Sequence, residues 1–238
     1  MPYRLFCIFP HPDDESFLMG GTIATVTAAG HEVSLYTLTR GENSRNGSTL
    51  RLDPSEVGRR RAREVEEASR ILGIRRLMQA GYPDGGLRDL DLRILERDVA
   101  EHIRALRPHV ICTFDVQGSS VHPDHITLHH VVKRTFLELR EEIAELQRLC
   151  YCVLPNDRIA HWPRKVFGAA RNRINAVIDV RAARDVEERA LCAHETVSRD
   201  VAEHNYDNWM LWDEEYFSFF QEMHDPPLTD LFEGLRPY

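Results

Sequence analysis

Lysine is almost missing from this chain. Lys133 and Lys165 are the only two, and the rest of the 30 basic residues are arginine. Acidic residues outnumber basic ones 38 to 30, for a formal net charge of −8. A nucleic-acid binder carries a basic face or stripe, and the densest basic run here, Arg59-Arg60-Arg61 with Arg63, lies on a Glu-rich helical segment where it reads as a solvated face. Long apolar stretches are missing too. Nothing approaches the roughly 20 residues of a membrane span, and the short N-terminal apolar run meets charge at once, unlike a signal peptide. The five cysteines are Cys7, Cys112, Cys150, Cys152 and Cys192. They make neither an even-numbered staple framework nor a zinc ribbon, so reduced thiols in a cytoplasmic protein are expected. The first strand–helix turn also lacks G-x-G-x-x-G, which disfavours a dinucleotide-binding protein.

What is present is a full complement of core-forming residues: 42% hydrophobic, with 10 Phe, 7 Tyr and 3 Trp in 238 residues. Strand-like and helix-like segments alternate. Residues 4–9, 32–39, 75–82, 109–114 and 149–154 read as strands, the first as a run buried on both faces. Helices are expected over 16–29, from Asp53-Pro54 to Gly73 with an N-cap, Pro at N1 and a glycine stop, over 91–106, and from Pro123 to about Leu146. Residues 174–180 suit a late strand and 185–200 a helix. In the tail, Trp209, Trp212, Tyr216, Phe219 and Phe220 recur at helical spacing. The order predicts a single α/β domain over 1–238: a Rossmann-like, mostly parallel sheet with helices on both faces, its core at about 4–154 and further strand and helices over 155–238.

Two loops carry the chemistry. His11-Pro12-Asp13-Asp14-Glu15 follows the first strand, and His122-Pro123-Asp124-His125 follows the fourth. Ligands of open α/β sheets bind beyond the carboxyl ends of the strands, so neighbouring first and fourth strands would bring the loops together. Neutral imidazole and carboxylate suit zinc, and a catalytic zinc keeps three protein ligands. His11, Asp14 and His125 supply such a set. Asp13, pointing elsewhere than Asp14, is then free as general base. His122 lies three residues before His125; protonated, it would stabilise an oxyanion or donate to a leaving amine, with Asp124 holding its ring. The plainer alternative is that Asp13, Asp14, Ser16 and Asp124 cap helices. His129 and His130 read as packed or exposed.

HPDDE (11–15) with HPDH (122–125) resembles the signature of the PIG-L, or LmbE-like, deacetylases, zinc enzymes that remove N-acetyl groups from N-acetylglucosamine conjugates. GGTIA (20–24), TRGENSRNG (39–47), REVEEASRILGI (63–74) and GYPDGGL (81–87) are similar as well, and the likeness is strong over about residues 4–133. It implies His11, Asp14 and His125 as zinc ligands, Asp13 as base, and His122 with Asp124 as the electrophilic pair. It further suggests Arg45, Asn46, Asp84 and His194 as substrate-binding residues. Iron(II) is an alternative metal. Where some members carry a tyrosine, this chain has Ser120, and His194 or Tyr206 could substitute for it. FPHPDDESF and GENSRNG look closest to the bacillithiol branch, which implies N-acetylglucosaminyl malate as substrate, its carboxylates gripped by Arg45. An amidase acting on a thiol conjugate or a natural-product N-acyl sugar, and a non-catalytic metal-binding protein, are the competing functions. A homo-oligomer acting on a small acetylated sugar conjugate, without nucleic acid or membrane, is expected.

Overall fold

The structure is a computed structural model describing residues 2–44, 52–161, 166–197 and 211–236. Five strands arise where the sequence predicts them: β1 (Arg4–Phe9), β2 (Glu32–Thr39), β3 (Arg76–Tyr82), β4 (Val110–Phe114) and β5 (Arg148–Val153). The helices between them are α1 (Asp14–Ala28), α2 (Pro54–Leu72), α3 (Leu92–Leu106) and α4 (Pro123–Leu139). β6 (Ala176–Asp179), α5 (Arg184–Ala193) and β7 (Glu214–Phe219) complete the elements used below. α4 stops well short of Leu146, and α5 ends at Ala193.

Local chemistry sets the boundaries. Asp53 caps α2 by accepting the Glu56 N–H at 3.0 Å, Pro54 takes the first position, and Gly73 closes the helix at φ +74°. His122 begins α4, its side chain accepting the Asp124 N–H, with Pro123 at N1. β1 alternates across the sheet. Leu5, Cys7 and Phe9 enter the core on one face, and Phe6 and Ile8 the core on the other. Each large side chain buried this way contributes about 1.5–3 kcal/mol over leaving it in water.

The sheet order is β3-β2-β1-β4-β5-β7-β6. β1 to β5 run parallel, and β7 is antiparallel to both of its neighbours. This is the Rossmann-like α/β architecture, with helices on both faces. Connectivity runs outward from β1 to β3, then returns to β4 on the other side of β1, so the β1 and β4 loops meet at the switch point.

The aromatic tail departs from expectation. Tyr216 and Phe219 lie on a strand, while Trp209 and Tyr206 fall outside the described residues. Tyr216 packs into one core, and Phe217 and Phe219 into the other. Glu215 points from β7 into α1, where Met19 leaves helical geometry. The freed amides of Gly21 and Thr22 donate to its carboxylate at 2.9 and 2.8 Å. All five cysteines are free thiols; Cys192 is exposed and the other four are buried.

Candidate metal and catalytic site

His11 lies at the centre of the switch point, 8% exposed. Its Nε2 faces two carboxylates, Asp84 at 3.1 Å and Asp124 at 3.3 Å. Those carboxylates are themselves held. Asp124 accepts the Gly85 and Leu87 amides at 2.7 and 3.1 Å, and Asp84 accepts the Asn43 amide at 2.8 Å. In the neutral ring the pair places the proton on Nε2 and leaves Nδ1 for a metal, the carboxylate–histidine arrangement that orients metal ligands. His125 is prepared in the same way. Its Nδ1 donates to the Gly118 carbonyl at 2.9 Å, which leaves Nε2 free. Gly118 is needed there: its φ is +56°, and a Cβ would lie 2.5 Å from the His125 Cβ.

The two free nitrogens are 3.2 Å apart. Asp14 completes the group, one oxygen 3.4 Å from His11 Nδ1 and the other 3.5 Å from His125 Nε2. Ligands about 2.0–2.1 Å from a tetrahedral centre stand roughly 3.3–3.4 Å from one another. The spacing of the two nitrogens and the donor chemistry of His11, Asp14 and His125 therefore suit a zinc-like cation. Two combinations, His11 with His122 and His125, and His11 with Asp84 and Asp124, bring one donor atom from each residue within 4.8 Å of the others. In the second of these both carboxylates face the one nitrogen Nε2 of His11, which suits them to support that ring.

Electrostatics agree with a cation here. Burial opposes charge on His11, but Asp124, Asp14 and Asp84 outweigh it and raise its pKa well above the histidine range. Burial would raise Asp14, yet His125 and His11 bring it down to about 2. Burial lowers His125 to about 4, so its imidazole is neutral and able to ligate.

Asp13 is turned away from this group by its backbone. Its φ is +107°, a conformation that costs a non-glycine residue about 1–3 kcal/mol. Its side chain does not cap α1. Instead the carboxylate meets Arg61 Nη2 at 2.9 Å, and burial, opposed first by Arg61, pushes its pKa up to about 7. Arg61 also donates to the carbonyls of Pro12 and Gly41. Gly41, at φ +63°, has no room for a Cβ, which would fall 2.3 Å from the Arg61 guanidinium. A buried carboxyl poised near neutral pH, beside the donor atoms of His11, Asp14 and His125, has the makings of a general base.

Several sequence expectations change. Arg61 is not on a solvated face; it is 5% exposed. Its spacing between Val57 and Val65, four residues from each, already placed it on the apolar side of α2. The Asp124 carboxylate does not hold the His122 ring but faces His11 and the Gly85–Leu87 turn. His122 instead accepts the Asp124 N–H on Nδ1 at 3.2 Å, which assigns its proton to Nε2. Burial, then charge on His11, lowers the His122 pKa, so the ring rests neutral with an N–H to donate. Asp84 faces His11 with one oxygen and accepts the Asn43 amide with the other, and His194, placed by the sequence among the substrate contacts, is fully buried behind Glu15. Arg45 and Asn46 lie outside the described residues. His129 is packed in the core with Nδ1 bonded to the Phe114 carbonyl, and His130 is exposed.

The family described as PIG-L, GlcNAc-PI de-N-acetylase, matches residues 6–136. The 1D-myo-inositol 2-acetamido-2-deoxy-alpha-D-glucopyranoside deacetylase of Nakamurella multipartita is 30% identical over 234 residues, which cover 82% of this chain and 80% of that protein. Among solved structures, a conserved protein from Thermus thermophilus aligns with a TM-score of 0.65 at 26% identity, covering 93% of this chain and 97% of its own. The N,N'-diacetylchitobiose deacetylase of Pyrococcus horikoshii aligns at 0.68 and 19% identity, covering 99% of this chain and 87% of its own; at that identity the shared feature is the fold.

Proposed function

Because this chain belongs to the GlcNAc-PI de-N-acetylase (PIG-L) family, we propose that it is a metal-dependent hydrolase removing the N-acetyl group from a small N-acetylglucosamine conjugate. The observation that carries this reading is the division of labour between adjacent residues. Asp14 joins His11 and His125 in a triad spaced at 3.2–3.5 Å, while Asp13 is rotated out of it and pinned by Arg61.

A divalent cation held by His11, Asp14 and His125 would polarise the amide carbonyl and bring a water's pKa to roughly 7. Asp13 then removes a proton from the attacking water. His122, with Nε2–H directed away from its Asp124 amide contact, donates to the charge that develops on the carbonyl oxygen. The proton that Asp13 has taken from the water is the one passed to the departing amine, and the neutral His122 ring keeps its own. Asp84 and Asp124 hold His11 in one orientation throughout. Zinc is the metal this donor set favours, and iron(II) the alternative.

For the aglycone, the named activity of the curated relatives favours an inositol conjugate of N-acetylglucosamine. The malate conjugate suggested by Arg45 is the second member of the panel. The test is acetate release by zinc-loaded protein from N-acetylglucosaminides bearing inositol, malate and simple alkyl aglycones. Faster turnover of the inositol conjugate than of the others supports the reading. No acetate from any of them would sink it, and release only from N-acyl amides lacking a sugar would assign the chain to the amidase alternative.

A further inference from the structure

The strained backbone of Asp13 needs something to hold it, and Arg61 grips only the side chain and the carbonyl before it. The Asp13 carbonyl is held by the first turn of α1, accepting the Ser16 and Phe17 amides at 3.0 Å each. Its N–H points the other way and finds Glu15, whose Oε2 accepts it at 3.1 Å. Glu15 is fully buried, and at the mouth of a helix it had every reason to face solvent.

What keeps Glu15 inside comes from the far end of the chain. His194 caps the C-terminus of α5, and its Nε2 meets Glu15 Oε1 at 2.8 Å. Ser16 Oγ donates to the same oxygen at 2.6 Å. His194 is itself fully buried, and its other ring nitrogen has no hydrogen-bond partner among the described residues. The segment after it is anchored to α2, where Glu64 accepts both the amide and the hydroxyl of Thr196, at 2.9 and 2.6 Å. The imidazole therefore has one evident task, which is to hold Glu15.

We propose that Glu15 and His194 form a buried positioning pair that locks the Asp13 backbone in its left-handed conformation and so aims the base away from the metal triad. Neither residue touches substrate; both act through Asp13. The inference rests on the function proposed above for Asp13. It turns His194 from a residue expected at the substrate rim into a support behind the base.

The experiment compares His194→Leu, which removes the donor, with His194→Gln, whose amide nitrogen reaches a similar position. Acetate release, zinc content and hydrogen exchange of peptides spanning residues 9–17 are measured on each. With Leu, kcat is expected to fall about 10- to 100-fold, the cost of displacing a reacting group by about 1 Å, while KM and zinc content hold. The 9–17 amides should exchange faster, and Gln should restore most of both. Unchanged kcat and unchanged exchange overturn the inference, as does a rise in KM at constant kcat, which would make His194 a substrate contact. Zinc loss with Leu overturns it as well. If the wild-type protein releases no acetate, the proposed function fails, and the exchange comparison alone decides the positioning pair. Should the Leu variant not fold, Ser16→Ala removes the second donor from the same Glu15 oxygen and carries both readouts.

Discussion

Two carboxyls beneath α1 give a sharp test of the electrostatics. Glu187 on α5 is 2% exposed and Glu215 on β7 is 9% exposed. Glu215 has the Gly21 and Thr22 amides, whereas one oxygen of Glu187 has no hydrogen-bond partner among the described residues. Burial, then repulsion from Glu215, pushes Glu187 from an ordinary 4.5 up to about 8. Burial likewise brings Glu215 up to about 7. In the unfolded chain Glu187 loses its proton near pH 4.5, so between 4.5 and about 8 the folded protein retains a proton that the unfolded chain has released. Its contribution therefore falls as pH rises through that window, with no penalty below it and the full penalty above. At 1.36 kcal/mol per pH unit the ceiling is about 5 kcal/mol; relaxation and water penetration bring the expected value to about 2–3 kcal/mol. Glu187→Gln removes the titration. Urea unfolding followed by circular dichroism should show wild type and variant within about 1 kcal/mol of each other at pH 5, where both side chains are neutral. At pH 8.5 the variant should be the more stable by the amount above. A stability difference that is the same at both pH values would refute the argument, because it would mean that Glu187 does not hold a proton in the folded state.

Asp13→Asn is expected to keep zinc and fold while losing about 10²–10⁴ of kcat, since it removes a proton acceptor and no ligand; metal analysis alongside steady-state kinetics checks it, and loss of zinc would contradict the separation of Asp13 from the triad. Gly118→Ala forces a Cβ against His125 and should weaken zinc binding by about 10- to 100-fold, as disturbances behind a ligand do, read by competition with a chromophoric chelator; unchanged affinity would show that the Gly118 contact does not orient His125.

Much of this was legible in the sequence where one residue does one local job. Asp53-Pro54 and Gly73 mark the ends of α2 because caps depend only on neighbours a few residues away. The two His-Pro-Asp loops follow strands, and the parallel sheet brings them together without further information. The failures share a cause. β7 packs both faces inside the sheet, with Tyr216 on one side and Phe217 and Phe219 on the other, so no two-residue alternation of polar and apolar survives to betray a strand. The chance spacing of its aromatics then mimics a helix. Arg61 was hidden among exposed arginines and distinguishable only by its register with Val57 and Val65. The inward turn of Asp84 and the task of Asp124 depend on contacts 73 and more residues away in the chain, with His11, and no local pattern encodes those. Arg45, the residue on which the malate reading leaned, lies outside the described residues.

The place of β7 in the sheet has a consequence for how the chain is made. β5 and β6 leave the ribosome before the strand that will lie between them. Until it arrives, β5 offers an open row of backbone donors and acceptors, the kind of edge that recruits strands from other molecules, and β6 has no neighbouring strand to pair with. A nascent chain paused after residue 180 would therefore still carry the open β5 edge although His11, Asp14 and His125 are already synthesised, and that edge is covered only once residues up to 219 are free to insert.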